Sequence, residues 1–151
     1  MRLGQHPIHP AIVHFPISCW VLVSFCDATY FWLGDTTWLN KGQWLLGIGL
    51  ISAAIAMLFG LADIIREKRL NKSVPTKLLN KHITWVSSAW CIYLISWVCR
   101  QRIGDSADLW FTAAACSALA GYALLMIGAW HGAELVYQHS FGIKRADIDK
   151  A

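Results

Sequence analysis

The chain opens on a stretch dense in histidine and proline, His6-Pro7-Ile8-His9-Pro10-Ala11-Ile12-Val13-His14-Phe15-Pro16. These residues include three of the six histidines and three of the four prolines, and a long apolar segment follows directly. A histidine inside or beside lipid is costly unless a partner satisfies it, so such residues are candidates for function. The remaining histidines, His82, His131 and His139, join the same candidate site if the fold returns them to this stretch.

The composition of the whole chain is that of an integral membrane protein. Hydrophobic residues make up 56% of the 151 residues and charged residues 15%, whereas average soluble chains carry about 25% charged residues. Four apolar segments, at about 11–33, 43–65, 82–99 and 109–130, approach the roughly 20 residues that a membrane span requires. We therefore predict an all-α fold: a four-helix transmembrane bundle, up-down-up-down, forming a single membrane domain over residues 1–151. We find no convincing internal repeat.

The basic residues predict the orientation of the spans. Ten of the thirteen fall before the first span, between the second and third, or after the fourth. The other three, Lys41, Arg100 and Arg102, fall in the two remaining connections. The positive-inside rule then predicts that both termini are cytoplasmic. All six histidines would lie at the cytoplasmic end, which predicts one shared polar site there.

The surroundings of His14 and His82 suggest that each could be a ligand. Pro16 removes one helical hydrogen bond and predicts a kink near His14. Asn80 is a good N-cap, so we expect the third helix to begin there, with His82 in a first turn whose dipole disfavours the imidazolium cation. A neutral imidazole suits ligation. For His14 the alternative, an interfacial histidine, is equally good, and for His82 it is a side chain that reaches the interface.

Other polar residues support the histidines less directly. His131 and Glu134 share a helix face and could bind a metal, although a solvated helix end is the preferred interpretation. Asp63 could orient a ligating histidine, and pairing with Arg66 is slightly preferred. Asp27 is a candidate for a proton path, but an interfacial carboxylate is the simpler interpretation.

Short motifs along the chain carry a family resemblance. They are His9-Pro10-Ala11-Ile12-Val13-His14-Phe15-Pro16, Gly60-Leu61-Ala62-Asp63, His82, Gly132, Leu135-Val136-Tyr137 and His139. Together they resemble the bacterial membrane family named domain of unknown function 2231, whose chains end in Gly-Gly-x-Leu-Val-Tyr-x-His-Gly-x-Gly-Val. The resemblance covers essentially the whole chain and implies a multi-pass protein of the bacterial inner membrane.

This chain departs from the family ending at a few positions. Ala133 and Ser140 stand where the family has glycine, and Ile143 stands where it has valine. His131 is not part of the family motif. The resemblance therefore favours the residues that match its motifs as the site: His9, His14, Asp63, His82 and His139.

The resemblance also suggests a function, because the family is similar at fold level to the four-helix membrane cytochromes that hold b-type haem between histidines. By this analogy we expect electron transfer through one haem b at the cytoplasmic end. His14 and His82 are the expected axial pair, with His9 and His139 as a second pair or as contacts to propionates or a second cofactor. Asp63 and Glu134 are expected behind these ligands. The implied partners are the lipid bilayer and a quinone or membrane redox partner, an oligomer is compatible with the sequence, and nucleic acid is not implied.

Two other hypotheses stay open. A non-haem site could hold zinc, copper or iron through the same histidines, with Asp63 or Glu134, since imidazole suits all three metals. A structural or accessory subunit would use its histidines only to bond to one another and to backbone carbonyls. Nucleotide binding has no support, because the chain carries neither of the glycine-rich phosphate-binding motifs.

Overall fold

The computed structural model describes residues 2–3, 6–70, 75–103 and 107–141, almost entirely as helix. Two short strands, β1 (Arg2–Leu3) and β2 (His6–Pro7), pair antiparallel before the first helix. Five helices follow: α1 (Ile8–Ile12), α2 (His14–Leu33), α3 (Thr36–Arg69), α4 (Thr76–Arg100) and α5 (Ala107–Tyr137). The predicted all-α architecture is confirmed. Parts of the charge and motif arguments lie outside the described residues, namely Lys72, Gly142, Ile143, Lys144, Arg145, Lys150 and the side chains of Arg2 and His6.

Among the described residues, four helical stretches are long and apolar enough to cross a membrane: Ile8–Leu33, Thr36–Arg69, Thr76–Arg100 and Leu109–Tyr137. Each contains one of the four predicted apolar segments. The helices run past those segments where their ends become polar, and polar helix ends can extend beyond the hydrocarbon layer. Many large apolar side chains on their outer faces are exposed, among them Ile51 and Leu58, which suits a surface covered by lipid.

The prediction for the start of the third span is wrong: helix α4 begins at Thr76, directly after Pro75, so Asn80 is not its cap and His82 is not in its first turn. The first span is interrupted at Val13, between α1 and α2, which is next to His14, where the kink is predicted. The proline ring conflicts with the carbonyl four residues earlier, so the disturbance falls one turn before Pro16 itself.

The turn between α2 and α3 is short and locally specified. Gly34 adopts φ 67°, and its N–H bonds to the carbonyl of Tyr30, which ends α2. Asp35 then caps α3, since its Oδ1 accepts a hydrogen bond from the Thr37 N–H at 2.8 Å. Hydrogen bonds from the Thr37 side chain and from its backbone N–H lower the pKa of the Asp35 carboxyl. The two long helices are therefore joined as a tight antiparallel pair.

The bundle is built from two helical hairpins. Helix α2 packs mainly against α3, and α4 packs mainly against α5, with fewer contacts between the pairs. We call α1–α3 the first hairpin and α4–α5 the second. The basic end of the bundle is where α1 and α4 begin and α3 and α5 end. The described basic residues of this end are Arg66, Lys68, Arg69, Lys77 and Lys81.

The two hairpins repeat one another in their pattern of buried residues, although the sequence itself shows no convincing internal repeat. Five of the six buried residues of α2 have a buried counterpart in α4 at the constant offset of 73 residues that separates Asp27 from Arg100. Between α3 and α5 the offset is one residue less. Every residue of α5 that the structure describes as buried has a buried counterpart in α3 at this offset. The α2/α4 pairs are Pro16/Ala89, Trp20/Tyr93, Val23/Ser96, Cys26/Cys99 and Asp27/Arg100.

Two of these pairs show where the repeats meet. The rings of Trp20 and Tyr93 stack with centroids 4.0 Å apart and an interplanar angle of 17°. Asp27 and Arg100 form an ion pair at 2.6 Å. A residue that contacts its own counterpart lies beside the axis that relates two repeats. Both hairpins start at the basic end, so this pseudo-two-fold axis runs along the bundle, as in parallel membrane repeats.

Candidate functional site

The first half of the site is His9, which α1 places against α3. Its Nδ1 lies 2.7 Å from the backbone oxygen of Ala56, and the imidazole is half-buried. One turn further along α3, the ring covers Gly60, where an added Cβ would lie 3.1 Å from Cε1. The missing side chain at Gly60 therefore makes room for the imidazole.

The second half repeats this arrangement on α4 and α5. Nδ1 of His82 lies 2.8 Å from the backbone oxygen of Gly128, and this imidazole is also half-buried. The ring covers Gly132, where an added Cβ would lie only 2.8 Å from Cε1. His82, Gly128 and Gly132 are the repeat counterparts of His9, Ala56 and Gly60. We call His9 and His82, with these two glycines, the histidine site.

The hydrogen bonds determine the chemistry of each ring. A carbonyl oxygen only accepts, so Nδ1 must carry the proton, and the neutral ring then has its lone pair on Nε2. Within the described parts of the chain, no hydrogen bond reaches Nε2 of either ring. His82 lies within electrostatic range of both His9 and His131. The fold therefore brings together two imidazoles with fixed tautomers and available ring nitrogens.

The structure places two other predicted ligands elsewhere. His14 is exposed at the start of α2, and its backbone oxygen accepts a hydrogen bond from Ser18 at 2.9 Å. His139 is exposed in the turn that follows α5. Both lie at the basic end, as the chain order predicts, but neither joins His9 and His82 in the interior.

Asp63 lies at the end of α3 in a buried acidic pair. It is 4% exposed, and its Oδ1 is 3.8 Å from Nη1 of Arg66, so the slightly preferred pairing with Arg66 is present. Arg66 also donates from Nη2 to Oε1 of Glu67 at 3.1 Å. Glu67 is 3% exposed, and it is a buried acid that the sequence motifs do not identify. Glu67 lies one helical turn after Asp63, and this spacing is the feature of the sequence that indicates both acids share one face of α3.

His131 and Glu134 meet as their spacing predicts. Nδ1 of His131 is 3.6 Å from Oε2 of Glu134, which is an ion-pair distance if the imidazole is protonated. That nitrogen is buried and makes no hydrogen bond to any described residue. His131 has no histidine counterpart in the first hairpin, where Phe59 takes its place, so it makes the two halves unequal.

A compact metal site is not formed by the part of the chain that the structure describes. Over residues 2–3, 6–70, 75–103 and 107–141, no three or more His, Cys, Asp or Glu side chains are grouped so that they could hold one ion. Structural zinc sites use four such ligands and catalytic ones at least three. The two-histidine arrangement is therefore the stronger candidate among the described residues.

A second polar feature lies toward the opposite end. Asp27 and Arg100 are joined through Oδ2 and Nη2, and their side chains are only 9% and 2% exposed. Gly42 lies beside them, since an added Cβ would be 3.2 Å from Nη1 of Arg100. The sequence placed Arg100 among the basic residues of a connection. Two features of the sequence indicate that Arg100 is buried: it lies at the end of an apolar segment, and another helix carries an acidic residue, Asp27, that can pair with it.

A bundle of four apolar helices with paired imidazoles at one end defines a multi-pass membrane protein with a candidate cofactor site. The chain belongs to the family described as predicted membrane protein (DUF2231), whose model matches residues 5–145. No curated protein and no solved structure matches the chain.

Proposed function

We propose that this protein transfers electrons in the bacterial inner membrane through one b-type haem held between His9 and His82. The supporting observation is the repeated arrangement of imidazole, facing carbonyl and glycine in the two hairpins. One nitrogen donor from each hairpin, on either side of the pseudo-two-fold axis, suits a group that is ligated from two opposite sides. His9 takes the role that the sequence favoured for His14.

The hydrogen-bonding pattern suits ligation. Metal-binding histidines almost always donate their other ring N–H to a carboxylate, carbonyl or water, which fixes the tautomer and strengthens the donor nitrogen. Here the carbonyls of Ala56 and Gly128 accept those N–H groups. When bound, the haem would supply reversible one-electron chemistry. The helices hold the imidazoles of His9 and His82 in place through these hydrogen bonds, and the two ring nitrogens would hold the haem.

The proposal extends to orientation and partners. The described basic residues of the basic end, such as Lys68 and Lys77, favour the cytoplasmic side under the positive-inside rule. The histidine site would then exchange electrons near the cytoplasmic surface. The partner would be a membrane dehydrogenase or a quinone that reaches the site from the bilayer.

An absorption spectrum of the detergent-purified protein, oxidised and then reduced with dithionite, tests the proposal. A sharp Soret band and a narrow reduced alpha band are expected after expression with ample haem. His9→Ala and His82→Ala should each abolish most of the absorption, whereas His14→Ala and His139→Ala should retain it. A flat visible spectrum of the wild-type protein, or retention of haem by both interior variants, would overturn the proposal.

A structural role is the second candidate, and the same hydrogen bonds favour it. Each histidine joins two helices of its own hairpin through a buried carbonyl, which stabilises the hairpin without any cofactor. In that case the spectrum stays flat, elemental analysis finds no zinc, copper or iron, and His9→Ala and His82→Ala lower the thermal stability. Bound metal without haem absorption would instead support the non-haem hypothesis.

A further inference from the structure

A groove of about 530 Å³ lies between α2 and α3, near the end of the bundle opposite the histidine site. Toward the middle of the bundle its lining is apolar, with Leu22 and Phe25 from α2 and Trp44 and Leu45 from α3. Phe25 and Trp44 are 59% and 75% exposed, so this part of the groove opens to the surface that lipid would cover. A hydrocarbon chain is therefore a suitable occupant of the apolar part.

The groove becomes polar at the end nearest the turn between α2 and α3. Thr37, Asn40 and Lys41 line it there, within the first two turns of α3. Thr37 and Leu45 are eight residues apart, which corresponds to roughly 12 Å along the helix. A polar mouth followed by an apolar groove matches a phospholipid, whose head group lies at the membrane surface and whose acyl chains enter the hydrocarbon layer.

Lys41 supplies a cation at this mouth. Its Nζ lies 4.0 Å from the centroid of the Trp38 ring, and such a cation–π contact holds the ammonium beside the groove. Among the described residues, no carboxylate oxygen lies within ion-pair distance of this nitrogen. An ammonium group has three donors and no acceptor, so Lys41 is able to bind a phosphate oxygen.

Asp35 supplies the opposite charge near the same mouth. It directly precedes α3, and its Oδ1 accepts a hydrogen bond from the Thr37 N–H at 2.8 Å. The carboxylate, whose pKa is lowered by hydrogen bonds from Thr37, is ionised at neutral pH and lies within electrostatic range of Lys41. One end of the groove therefore carries an anion and a cation that are close together but not in contact.

We propose that this groove binds phosphatidylethanolamine, with the phosphate against Lys41, the ammonium against Asp35 and one acyl chain between α2 and α3. The head group carries both charges, and its primary ammonium has N–H groups that a carboxylate can accept. Phosphatidylcholine has the same charges but no N–H, and phosphatidylglycerol lacks the cation. The groove thus selects among head groups. It lies at the other end of the bundle from the histidine site, so the inference does not depend on haem.

Native mass spectrometry of the full chain, delipidated in detergent, provides the test. The probes are phosphatidylethanolamine, phosphatidylcholine and phosphatidylglycerol with identical dioleoyl chains. Phosphatidylethanolamine is expected to bind about five-fold more tightly than either of the others, as one favourable exposed ion pair would give. Equal affinity for all three lipids, or tighter binding of phosphatidylglycerol, overturns the proposal. Glycerophosphoethanolamine, which lacks acyl chains, should not bind measurably, and binding as tight as that of the lipid would place the site outside the groove.

Three variants assign the two charges. Asp35→Asn removes the carboxylate but keeps a side chain that caps helices equally well, so α3 should stay intact. It should reduce the affinity for phosphatidylethanolamine to that for phosphatidylglycerol. Lys41→Met should weaken binding of phosphatidylethanolamine about five-fold. Arg102→Gln removes an exposed cation at the same end of the bundle, outside the groove, and should leave the affinities unchanged.

Circular dichroism first establishes that each variant has the helicity and thermal stability of the wild type. A folded Asp35→Asn protein that still prefers phosphatidylethanolamine overturns the proposal. Equal losses in Lys41→Met and Arg102→Gln do so as well, because they would show that the lipid responds to the total charge of this end and not to the groove.

Discussion

At the scale of single residues, the histidine site depends on two glycines, whose lack of a side chain leaves room for the imidazoles. Each imidazole bonds to a backbone oxygen and rests on a glycine one turn further along the same facing helix. A backbone oxygen is available to a side chain only where the neighbouring helix approaches closely, and small residues permit that approach. Gly60 and Gly132 are therefore positioning residues for His9 and His82.

Gly132→Ala should displace the imidazole of His82. The added Cβ would lie 2.8 Å from Cε1, closer than such atoms approach, and the ring is held by its bond to Gly128. We expect a loss of about 1–3 kcal/mol in unfolding free energy, as for overpacked cores, and weaker haem absorption per protein. Thermal unfolding in detergent, followed by circular dichroism, measures the first effect.

Gly47→Ala is the matched control for that substitution. Its Cβ would meet Nε1 of Trp97 at 3.5 Å, an ordinary contact. The variant should keep both stability and absorption. Equal losses in the two variants would show that any alanine in these helices is harmful and that Gly132 has no special relation to His82.

Ser140→Gly should stabilise the end of α5. Ser140 has φ 50°, in the left-handed region, and the Phe141 N–H bonds to the Leu135 oxygen at 3.0 Å at the end of the helix. Glycine adopts this left-handed conformation without the Cβ conflict, which is worth about 1 kcal/mol. Ser140→Gly should raise the thermal midpoint, whereas Gln138→Gly, inside the same turn and not at positive φ, should not. A lower midpoint for Ser140→Gly would contradict this account.

At the scale of helices, the buried pair between α2 and α4 joins the two hairpins. Removing one partner of a buried ion pair leaves an uncompensated charge, whereas replacing both with apolar side chains is often tolerated. Asp27 and Arg100 are the repeat counterparts that meet at the axis, so their opposite charges also favour the pairing of unlike hairpins. Two identical hairpins would bring like charges together there.

Arg100→Met should therefore cost about 3–5 kcal/mol in unfolding free energy, because it strands the buried carboxylate of Asp27. The double variant Asp27→Leu/Arg100→Met should recover most of that loss. Chemical unfolding in mixed detergent micelles measures both. A double variant as unstable as Arg100→Met alone would mean that the packing of the arginine stem, and not the pairing of charges, supports the contact between hairpins.

The helices themselves were predictable from the sequence, but the orientation of each histidine was not. Apolar segments of span length locate four helices, and the chain order alone places every described histidine at one end. His9 and His14 are five residues apart, which is about 140° around a helix, so only one of them can face the interior. The interruption at Val13 alters that rotation further. When a helix is apolar on all its faces, its sequence does not show which face points into the bundle.

At the scale of the whole molecule, the repeat shows why the site has two halves. It was not visible in the sequence because counterparts differ in chemistry: tryptophan faces tyrosine, aspartate faces arginine, and valine matches serine. What the halves share is the pattern of buried positions, which requires a three-dimensional structure to read. Few counterparts are identical residues, and two of those identities, His9/His82 and Gly60/Gly132, belong to the histidine site.

The orientation of the whole bundle in the membrane follows from its two ends and can be measured directly. Single cysteines at Lys68 or Lys77 report the basic end, and a cysteine at the exposed Thr36 reports the opposite end. A membrane-impermeant maleimide applied to spheroplasts should label Thr36→Cys, and it should label Lys68→Cys and Lys77→Cys only after lysis. The wild-type protein, whose cysteines lie within the spans, is the background control. The reverse pattern would place the histidine site on the outer side, and its redox partner would then be sought there.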